Sequence, residues 1–317
     1  MLVSNPFATF TTPAGRDTLA NTLSARYDVD VEHTTHRGHA GELGARAAAE
    51  GYDAIVVHGG DGTVNEVVNG LLGTPDRPDP VDPATLPALG VVPGGSANVF
   101  ARALGIDRDP IVATAQLIKL LDAGSRRPIS LGHTLNRWFL FNSGMGMDAI
   151  VVRRMEDKRR AGKKATAQRY FGTTLAAFFS SKVVPPAFTV TVPDREPIEG
   201  VRFGFVSNTG PWTYFGTRPI ATNPSTDFDH GLGVFAATSV SVLPNIMLGG
   251  QLLRGVDNPH AKHLYRDDDV AWVRFSGTEP ADVQMDGDYL GRFTDMTFGC
   301  RQNVVHVAAA RPDATAE

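Results

Sequence analysis

The chain has 317 residues, of which 42% are hydrophobic and 20% are charged, with a formal net charge of -4 at pH 7. This composition is typical of a globular protein with about two domains, and the negative charge argues against nucleic acid as a partner. The single cysteine excludes an intramolecular disulfide, and we expect a cytoplasmic protein. No uncharged apolar run reaches the roughly 20 residues that a transmembrane helix needs.

The first part of the chain alternates short apolar runs with helical patterns. The segments "DAIVVHGG" (53–60) and "ALGVVPGG" (88–95) are typical of buried strands that end in glycines. Amphipathic helical spacing follows each of them, over 64–71 and 99–104. Because alternating strands and helices favour a parallel sheet with crossover helices, we predict an α/β domain over residues 1–125.

Beyond about residue 130, short strand-like segments lie between turn residues. They are "RWFLFNSG" (137–144), "FTVTV" (188–192), "VRFGFVSN" (201–208), "GLGVFAATS" (231–239), "VAWVRFSG" (270–277), "DVQMDGDYLG" (282–291) and "NVVHVAA" (303–309). Two helical insertions interrupt this pattern, near 150–182 and 242–256. We predict a mostly antiparallel β-sandwich domain over residues 126–310, whose last segment packs back on the first domain.

The segment "GGDGTVNE" (59–66) lies between a predicted strand and a predicted helix. Glycines let a ligand approach the backbone, and the positive end of the helix favours an anion such as phosphate. Thr63 and Glu66 fit a capping box that marks the helix start. Asp61 would repel phosphates unless a cation lay between them, so it indicates a nucleotide–Mg²⁺ complex. The alternative is a tight turn whose glycines relieve backbone strain.

Two further loops have a similar design. In "VVPGGSANVF" (91–100), Gly94 ends a strand and Ser96 and Asn98 stand at a helix start. In "VSNPF" (3–7), Asn5 follows a short apolar start. We predict that all three loops gather at the carboxyl edge of one parallel sheet, where ligands bind in open α/β folds.

The late segment "MDGD" (285–288) offers two carboxylates, Asp286 and Asp288. Phosphoryl transfer to an alcohol requires a positioned group to accept the hydroxyl proton, and a carboxylate can do this. The alternative is an ordinary Asp-Gly hairpin turn without a catalytic role.

Taken in order, these motifs resemble the diacylglycerol kinase family, and in particular its bacterial lipid kinases related to sphingosine and ceramide kinases. "GGDGTVNEVVNGLL" resembles the family's catalytic signature and "VVPGGSANVFARALGI" its second signature, in which Ser96 replaces the usual Thr. "VSNP", "FNSGMGMDA" and "VQMDGDYLG" resemble its remaining motifs. "GGDGT" alone is shared with NAD kinases and phosphofructokinases, whose fold the first domain is expected to resemble.

The resemblance implies that ATP, bound with Mg²⁺ between the two domains, donates its γ-phosphate to the hydroxyl of diacylglycerol or a similar lipid alcohol. The nucleotide-binding residues that it implies are Asn5, Gly59, Gly60, Asp61, Gly62, Thr63, Glu66, Gly94, Ser96 and Asn98. Asp286 would be the general base, and Asp288 stands where the family has Glu. Asp229 is a candidate ligand of a structural Mg²⁺, although His230 occupies the position at which the family has Asp.

A basic segment follows the start of the second domain. "RRMEDKRRAGKKATAQR" (153–169) has eight Lys or Arg and two acidic residues, so its local charge is 8 − 2, or +6. Phe171, Leu175, Phe178 and Phe179 then share one helical face. We expect residues 153–182 to contact an anionic membrane surface transiently. The alternative is that the aromatic side chains pack on the β domain and the charges are solvated.

Two other functions remain open from the sequence. The chain could phosphorylate a soluble molecule, as NAD kinases do, or it could be a non-catalytic nucleotide-binding module. Asp61, Asp286 and Asp288 favour an enzyme over such a module. A lipid substrate at a membrane surface is the expected partner. The sequence leaves open whether the chain forms a homodimer.

Overall fold

The structure is a computed structural model that describes residues 1–146, 149–150, 152–153, 186–215, 218–239, 242–256 and 258–311. The chain divides into two compact units. Unit 1 comprises Met1–Ser130, Asn136–Trp138 and the chain from Gln302 onward, and unit 2 comprises Leu131–Leu135 and Phe139–Arg301. Most of the predicted membrane-contact segment, residues 154–182, lies outside the described residues.

Unit 1 contains the predicted alternation of strands and helices. In chain order these are β1 (Leu2–Ser4), α1 (Pro13–Ser24), β2 (Val31–His33), α2 (His39–Ala49), β3 (Ala54–Gly59), α3 (Asp61–Leu72), β4 (Ala88–Pro93), α4 (Val99–Ala103) and α5 (Pro110–Asp122). The strands lie in the order β4-β3-β1-β2, and each neighbouring pair is parallel. The loops after β1, β3 and β4 therefore leave the sheet at the same edge.

The core of unit 1 fixes this edge in place. Leu2 of β1, Val56 of β3 and Val92 of β4 are buried against Leu23 and Leu117 from the flanking helices. Every residue of β4 is buried, which is the pattern expected of a strand covered on both faces.

Helices α2 and α3 pack through glycine. A Cβ atom at Gly44 would lie only 2.5 Å from the carbonyl oxygen of Val67, and one at Gly70 would collide with the carbonyl oxygen of Gly41. The absence of side chains lets the two helix backbones approach closely, which fixes the helix whose first residues follow the glycine loop.

Unit 2 is built mainly from antiparallel strands. The elements that follow α5 are β5 (Arg127–Thr134), β6 (Arg137–Phe139), β7 (Asn142–Gly146), β8 (Phe188–Thr191), β9 (Ile198–Val201), β10 (Phe203–Ser207), β11 (Thr213–Phe215), β12 (Arg218–Ile220), β13 (Leu232–Ala237), α6 (Val242–Arg254), β14 (Leu264–Val270), β15 (Trp272–Met285) and β16 (Asp288–Val307). Within unit 2 the strand order is β14-β13-β10-β7-β15-β16, and β8 pairs with both β15 and β9. Phe139, Phe188, Phe275 and Phe298 lie in its main core.

The predicted fold class is confirmed: unit 1 has a parallel α/β arrangement, and unit 2 is mostly antiparallel β structure. The helix predicted near 242–256 is present as α6. The sequence patterns missed β14, "LYRDDDV", because three aspartates obscure its apolar positions. This strand ends the sheet order of unit 2, and charged side chains are common on such edge strands. Among the described residues, no helix is both long and apolar enough to cross a membrane.

Candidate active site

The three predicted loops meet at the carboxyl edge of the unit 1 sheet. The side-chain amide of Asn5 donates to Oγ1 of Thr63 at 2.9 Å. The backbone N–H of Phe10 donates to the Gly94 carbonyl at 2.9 Å, and the Gly94 N–H donates to the Gly59 carbonyl at 2.8 Å. The loops after β1, β3 and β4 are therefore joined to one another directly, as the sequence predicts.

The glycines of these loops serve two different purposes. A Cβ atom at Gly95 would lie 2.6 Å from the Cα of Gly60, and one at Gly94 would lie 2.7 Å from Oγ1 of Thr11. At Gly62, by contrast, an added Cβ would meet no atom within 4 Å. Loop packing thus explains Gly60, Gly94 and Gly95, whereas Gly62 leaves open space at the first turn of α3 that a ligand could occupy.

Asp61 connects the first glycine loop to the second. Its two carboxylate oxygens accept hydrogen bonds from the N–H groups of Val99 and Phe100, at 3.1 and 3.0 Å. Burial raises the pKa of Asp61, and the bonds from Phe100 and Val99 oppose that increase. The carboxylate therefore caps α4, in addition to the metal-binding role that remains a prediction.

The predicted capping box at Thr63 and Glu66 is wrong. Helix α3 begins at Asp61, and its N-cap is Gly60, which has no side chain to cap it. Thr63 lies in the first turn and accepts the bond from Asn5, while Oε1 of Glu66 accepts from the N–H of Gly38 at 3.0 Å. Both side chains are engaged by other loops, so tertiary contacts replace the local cap.

Asn98 shapes the second glycine loop. Its side chain accepts from the N–H of Gly95 at 2.9 Å and donates to the Gly95 carbonyl at 2.7 Å. Asn98 has a φ of 49°, in the left-handed region that Asn tolerates better than most residues. Ser96, half-buried, lies within the segment that this amide closes.

A buried histidine that sequence reasoning missed lies beneath these loops. His58 is 3% exposed, and its Nδ1 is 3.4 Å from Oγ of Ser4 on the neighbouring strand. Burial, with a smaller contribution from the charge of Arg16, lowers the pKa of His58 to about 4. The imidazole is therefore neutral near pH 7. The available signal was a histidine within an otherwise apolar strand.

The sequence did not predict the contacts of two asparagines in the "NEVVNG" stretch. Asn69 accepts from the N–H of Trp138 at 3.0 Å and donates to its carbonyl at 3.1 Å. Asn65 donates to the same carbonyl at 3.0 Å, and the Trp138 indole donates to the Gly73 carbonyl at 2.8 Å. Helix α3 thus holds the backbone of a segment 69 residues away in sequence.

Asp286 lies in the tight turn that joins β15 and β16. Asp286 and Gly287 have φ values of 48° and 82°, and Met285 pairs with Asp288 across the turn. This is the geometry of an Asp-Gly hairpin. The Asp286 carboxylate also accepts hydrogen bonds from the three N–H groups of 140–142, at 2.6, 3.0 and 3.1 Å. The hairpin accounts for the backbone conformation of Asp286. That its side chain acts as a base remains a prediction.

The second candidate metal region lies around Asp229. The Asp229 N–H donates to Oδ1 of Asp227 at 2.9 Å, and Nδ1 of His230 is 2.6 Å from the same oxygen. This hydrogen bond raises the pKa of His230. Over the described part of the chain, no group of three or more His, Cys, Asp and Glu side chains is arranged to hold a metal. Metal binding by Asp229 remains a prediction.

The region that contains the glycine loops is similar to proteins of a known family. Residues 1–133 match the family model of the diacylglycerol kinase catalytic domain. A diacylglycerol kinase of Bacillus subtilis (strain 168) is 39% identical over 122 residues, which are 38% of this chain and 36% of that protein. One of Staphylococcus aureus (strain JH9) is 36% identical over 124 residues, which are 39% of this chain and 35% of that protein. The matched region therefore spans about a third of these relatives.

Solved structures resemble nearly the whole chain. A crystal structure of a diacylglycerol kinase from Bacillus anthracis str. Sterne has a TM-score of 0.69 at 20% identity and covers 98% of this chain and 96% of its own. Another structure from that organism has a TM-score of 0.76 at 21% identity and covers 99% and 97%. At these identities the likeness shows a common fold.

The family resemblance seen in the sequence is thereby confirmed. Both glycine signatures, at 59–66 and 91–100, lie within the matched region and face the same edge of one parallel sheet. Residues 1–133 therefore resemble the diacylglycerol kinase catalytic domain in both sequence and loop arrangement.

Proposed function

We propose that this chain is an ATP-dependent lipid kinase that transfers the γ-phosphate of ATP to the hydroxyl of diacylglycerol or a similar long-chain alcohol. The observation that carries the proposal is the convergence of three loops at one sheet edge, inside the region that matches the catalytic domain. The curated relatives are named diacylglycerol kinases, which supports this substrate class.

The residues of unit 1 fit a phosphate-bearing ligand. Helix α3 begins at Asp61, so the positive end of its dipole lies at the open space beside Gly62. Gly59, Gly60 and Gly94 bring the loops together, and Asn5 and Thr63 link them. The proposed role of these residues is to hold and align the phosphates.

We further propose that Mg²⁺ binds here together with the nucleotide. In proteins it usually binds one or two carboxylates, and phosphate oxygens and water complete its coordination. Asp61 is the carboxylate that would hold it here. When bound, Mg²⁺ would neutralise the negative charge that opposes phosphoryl transfer.

Asp286 is the proposed general base, with Asp288 beside it in the turn. The three N–H groups of 140–142 stabilise a carboxylate anion and fix its orientation. An ionised and oriented carboxylate can accept the proton of a substrate hydroxyl as the new bond to phosphorus forms.

We also propose that the protein acts in the cytoplasm and contacts the membrane transiently through residues 153–182. The excess of basic side chains in 153–169 supports this, because each Lys or Arg near an anionic surface contributes about 1 kcal/mol. Co-sedimentation with vesicles should require anionic lipid and should weaken as salt is raised. Binding that ignores both variables would contradict this contact.

A labelling experiment tests the proposed function. The protein is incubated with radiolabelled ATP, Mg²⁺, a mixed lipid extract and NAD, and the labelled product is identified. We expect label in a phosphorylated lipid alcohol. Label in NAD but in no lipid would show a kinase of a soluble molecule. ATP binding without transfer to any acceptor would show a nucleotide-binding module.

A further inference from the structure

A buried glutamine lies two residues before Asp286 on β15. Gln284 is 1% exposed, and its side chain bonds both to the Asp286 turn and to the neighbouring strand β7. Its Nε2 donates to Oδ1 of Asn142 at 2.8 Å, and its Oε1 accepts from the N–H of Gly287 at 3.0 Å. The amide therefore connects the turn to the backbone segment that holds the Asp286 carboxylate.

Asn142 completes this network. Its N–H donates to the Asp286 carboxylate at 3.1 Å, and its carbonyl accepts from the Asp286 N–H at 2.8 Å. The hydroxyl of Ser143 donates to the Gln284 carbonyl at 2.6 Å. These hydrogen bonds join the end of β15 and the turn after it to the start of β7, so the position of Asp286 depends on a connected set of buried and partly buried bonds.

The same contacts hold the backbone of the turn. Asp286 has a φ of 48°, a left-handed conformation that Gly, Asn and Asp adopt more readily than other residues. Surrounding hydrogen bonds keep the turn in this conformation. The bond from Gly287 to Gln284 is one such contact, and the three bonds to the Asp286 carboxylate are others.

We infer that Gln284 is a positioning residue that holds the Asp286 carboxylate in its reactive orientation. The inference rests on the proposed function, in which Asp286 accepts the substrate proton. A small displacement of a catalytic group lowers the rate of the chemical step, whereas it need not alter the binding of ATP by unit 1.

The test compares Gln284→Leu, Gln284→Glu and Gln284→Asn with the wild type at pH 8. Leu removes both bonds, and we expect kcat to fall by about 10- to 100-fold with the KM for ATP within about twofold. Glu retains the acceptor for Gly287, and the Asn142 amide can reverse to donate to it, so we expect partial rescue. Asn is one methylene shorter and should not rescue.

A matched control is available in the same unit. The side chain of Gln251 also makes two hydrogen bonds, to the N–H and the carbonyl of His260, both at 2.9 Å. Gln251→Leu should leave kcat unchanged. An equal fall in kcat for Gln251→Leu, or a Gln284→Leu variant with wild-type kcat, would overturn the inference.

A second measurement separates this inference from the proposed function. Hydrogen exchange at the amides of 140–142 reports whether the Asp286 carboxylate still accepts their bonds. We expect faster exchange there in Gln284→Leu than in Gln251→Leu, whether or not the chain phosphorylates a lipid. Unchanged exchange would overturn the inference. If exchange rises but Asp286→Asn retains turnover, the assignment of the base in the proposed function fails instead.

Discussion

The candidate residues of unit 1 and those of unit 2 are held in different ways. In unit 1, backbone atoms from three loops form the site, and glycines are required because the loops touch one another at Gly60 and Gly95. In unit 2, one carboxylate, Asp286, is surrounded by backbone N–H groups and buried amides. The first arrangement depends on the absence of side chains, and the second depends on particular side chains. We therefore expect substitutions in the loops of unit 1 to change the affinity for ATP, and substitutions around Asp286 to change turnover.

The largest effect is expected at Asp286. Asp286→Asn removes the proposed base, and we expect turnover to fall by about 10²- to 10⁴-fold while the affinity for ATP changes little. In Asn an NH₂ group replaces the carboxylate oxygen that accepts from the N–H of Leu140, and it cannot accept that bond. Thermal unfolding should therefore be measured alongside the kinetics. Asp295→Asn, a change at an exposed carboxylate of the same unit, is the control. Near-normal turnover in Asp286→Asn would show that the turn is structural.

Gly62→Val tests the site in unit 1. An added Cβ atom would meet no atom within 4 Å, so the fold should survive while the affinity for ATP falls by about 10-fold or more. Gly60→Val should lose stability as well, because its Cβ would lie 3.2 Å from the Cα of Gly95. Calorimetric titration with ATP and thermal unfolding of both variants distinguish these effects. Unaltered affinity in Gly62→Val would mean that phosphate binds elsewhere.

Asn69→Leu should affect stability. The change removes the acceptor for the Trp138 N–H and a donor to the Trp138 carbonyl, and we expect a loss of about 1–3 kcal/mol in the free energy of unfolding. Asn258→Leu, at an exposed position, should cause a smaller loss. Denaturant titration measures both. Equal losses would show that the contacts of Asn69 with Trp138 contribute little.

The smallest expected effect concerns His58 and pH. Its pKa is about 4 in the fold, below the ordinary value of 6.5, so the unfolded chain binds more protons between these values. Stability should fall as pH falls through this window, and the contribution of His58 between pH 7 and 5 is about 1–2 kcal/mol. A His58→Gln variant should lose less stability over that range. Parallel curves for the two proteins would contradict the burial of a neutral imidazole.

The sequence was sufficient to predict the parallel sheet, the three loops and their meeting at one edge. These follow from local patterns, since apolar runs that end in glycine and precede a helical period determine strand, loop and helix together. It was not sufficient to predict the partners of Asp61, Asn69 or Gln284. Those contacts join residues 38 to 142 positions apart, and hydrogen bonds over such separations leave no periodic signal.

The predicted capping box shows that distant partners also limit the prediction of short-range hydrogen bonds. Thr63 and Glu66 have the spacing of a local cap, yet Asn5 and Gly38 bind their side chains. A short motif predicts a local bond only when no distant partner competes for it. The Asp-Gly turn is the opposite case, because its backbone is the hairpin that the dipeptide favours, and its side chain has distant partners as well.

Transfer from ATP labelled at a single phosphate tests the central claim most directly. The protein is incubated with Mg²⁺ and diacylglycerol in mixed micelles, with ATP labelled at either the γ- or the α-phosphate. Phosphoryl transfer predicts label in the phosphorylated diacylglycerol from γ-labelled ATP and none from α-labelled ATP, with the signal lost in Asp286→Asn. Absence of label in the lipid from γ-labelled ATP, in a preparation that binds ATP, would contradict the claim.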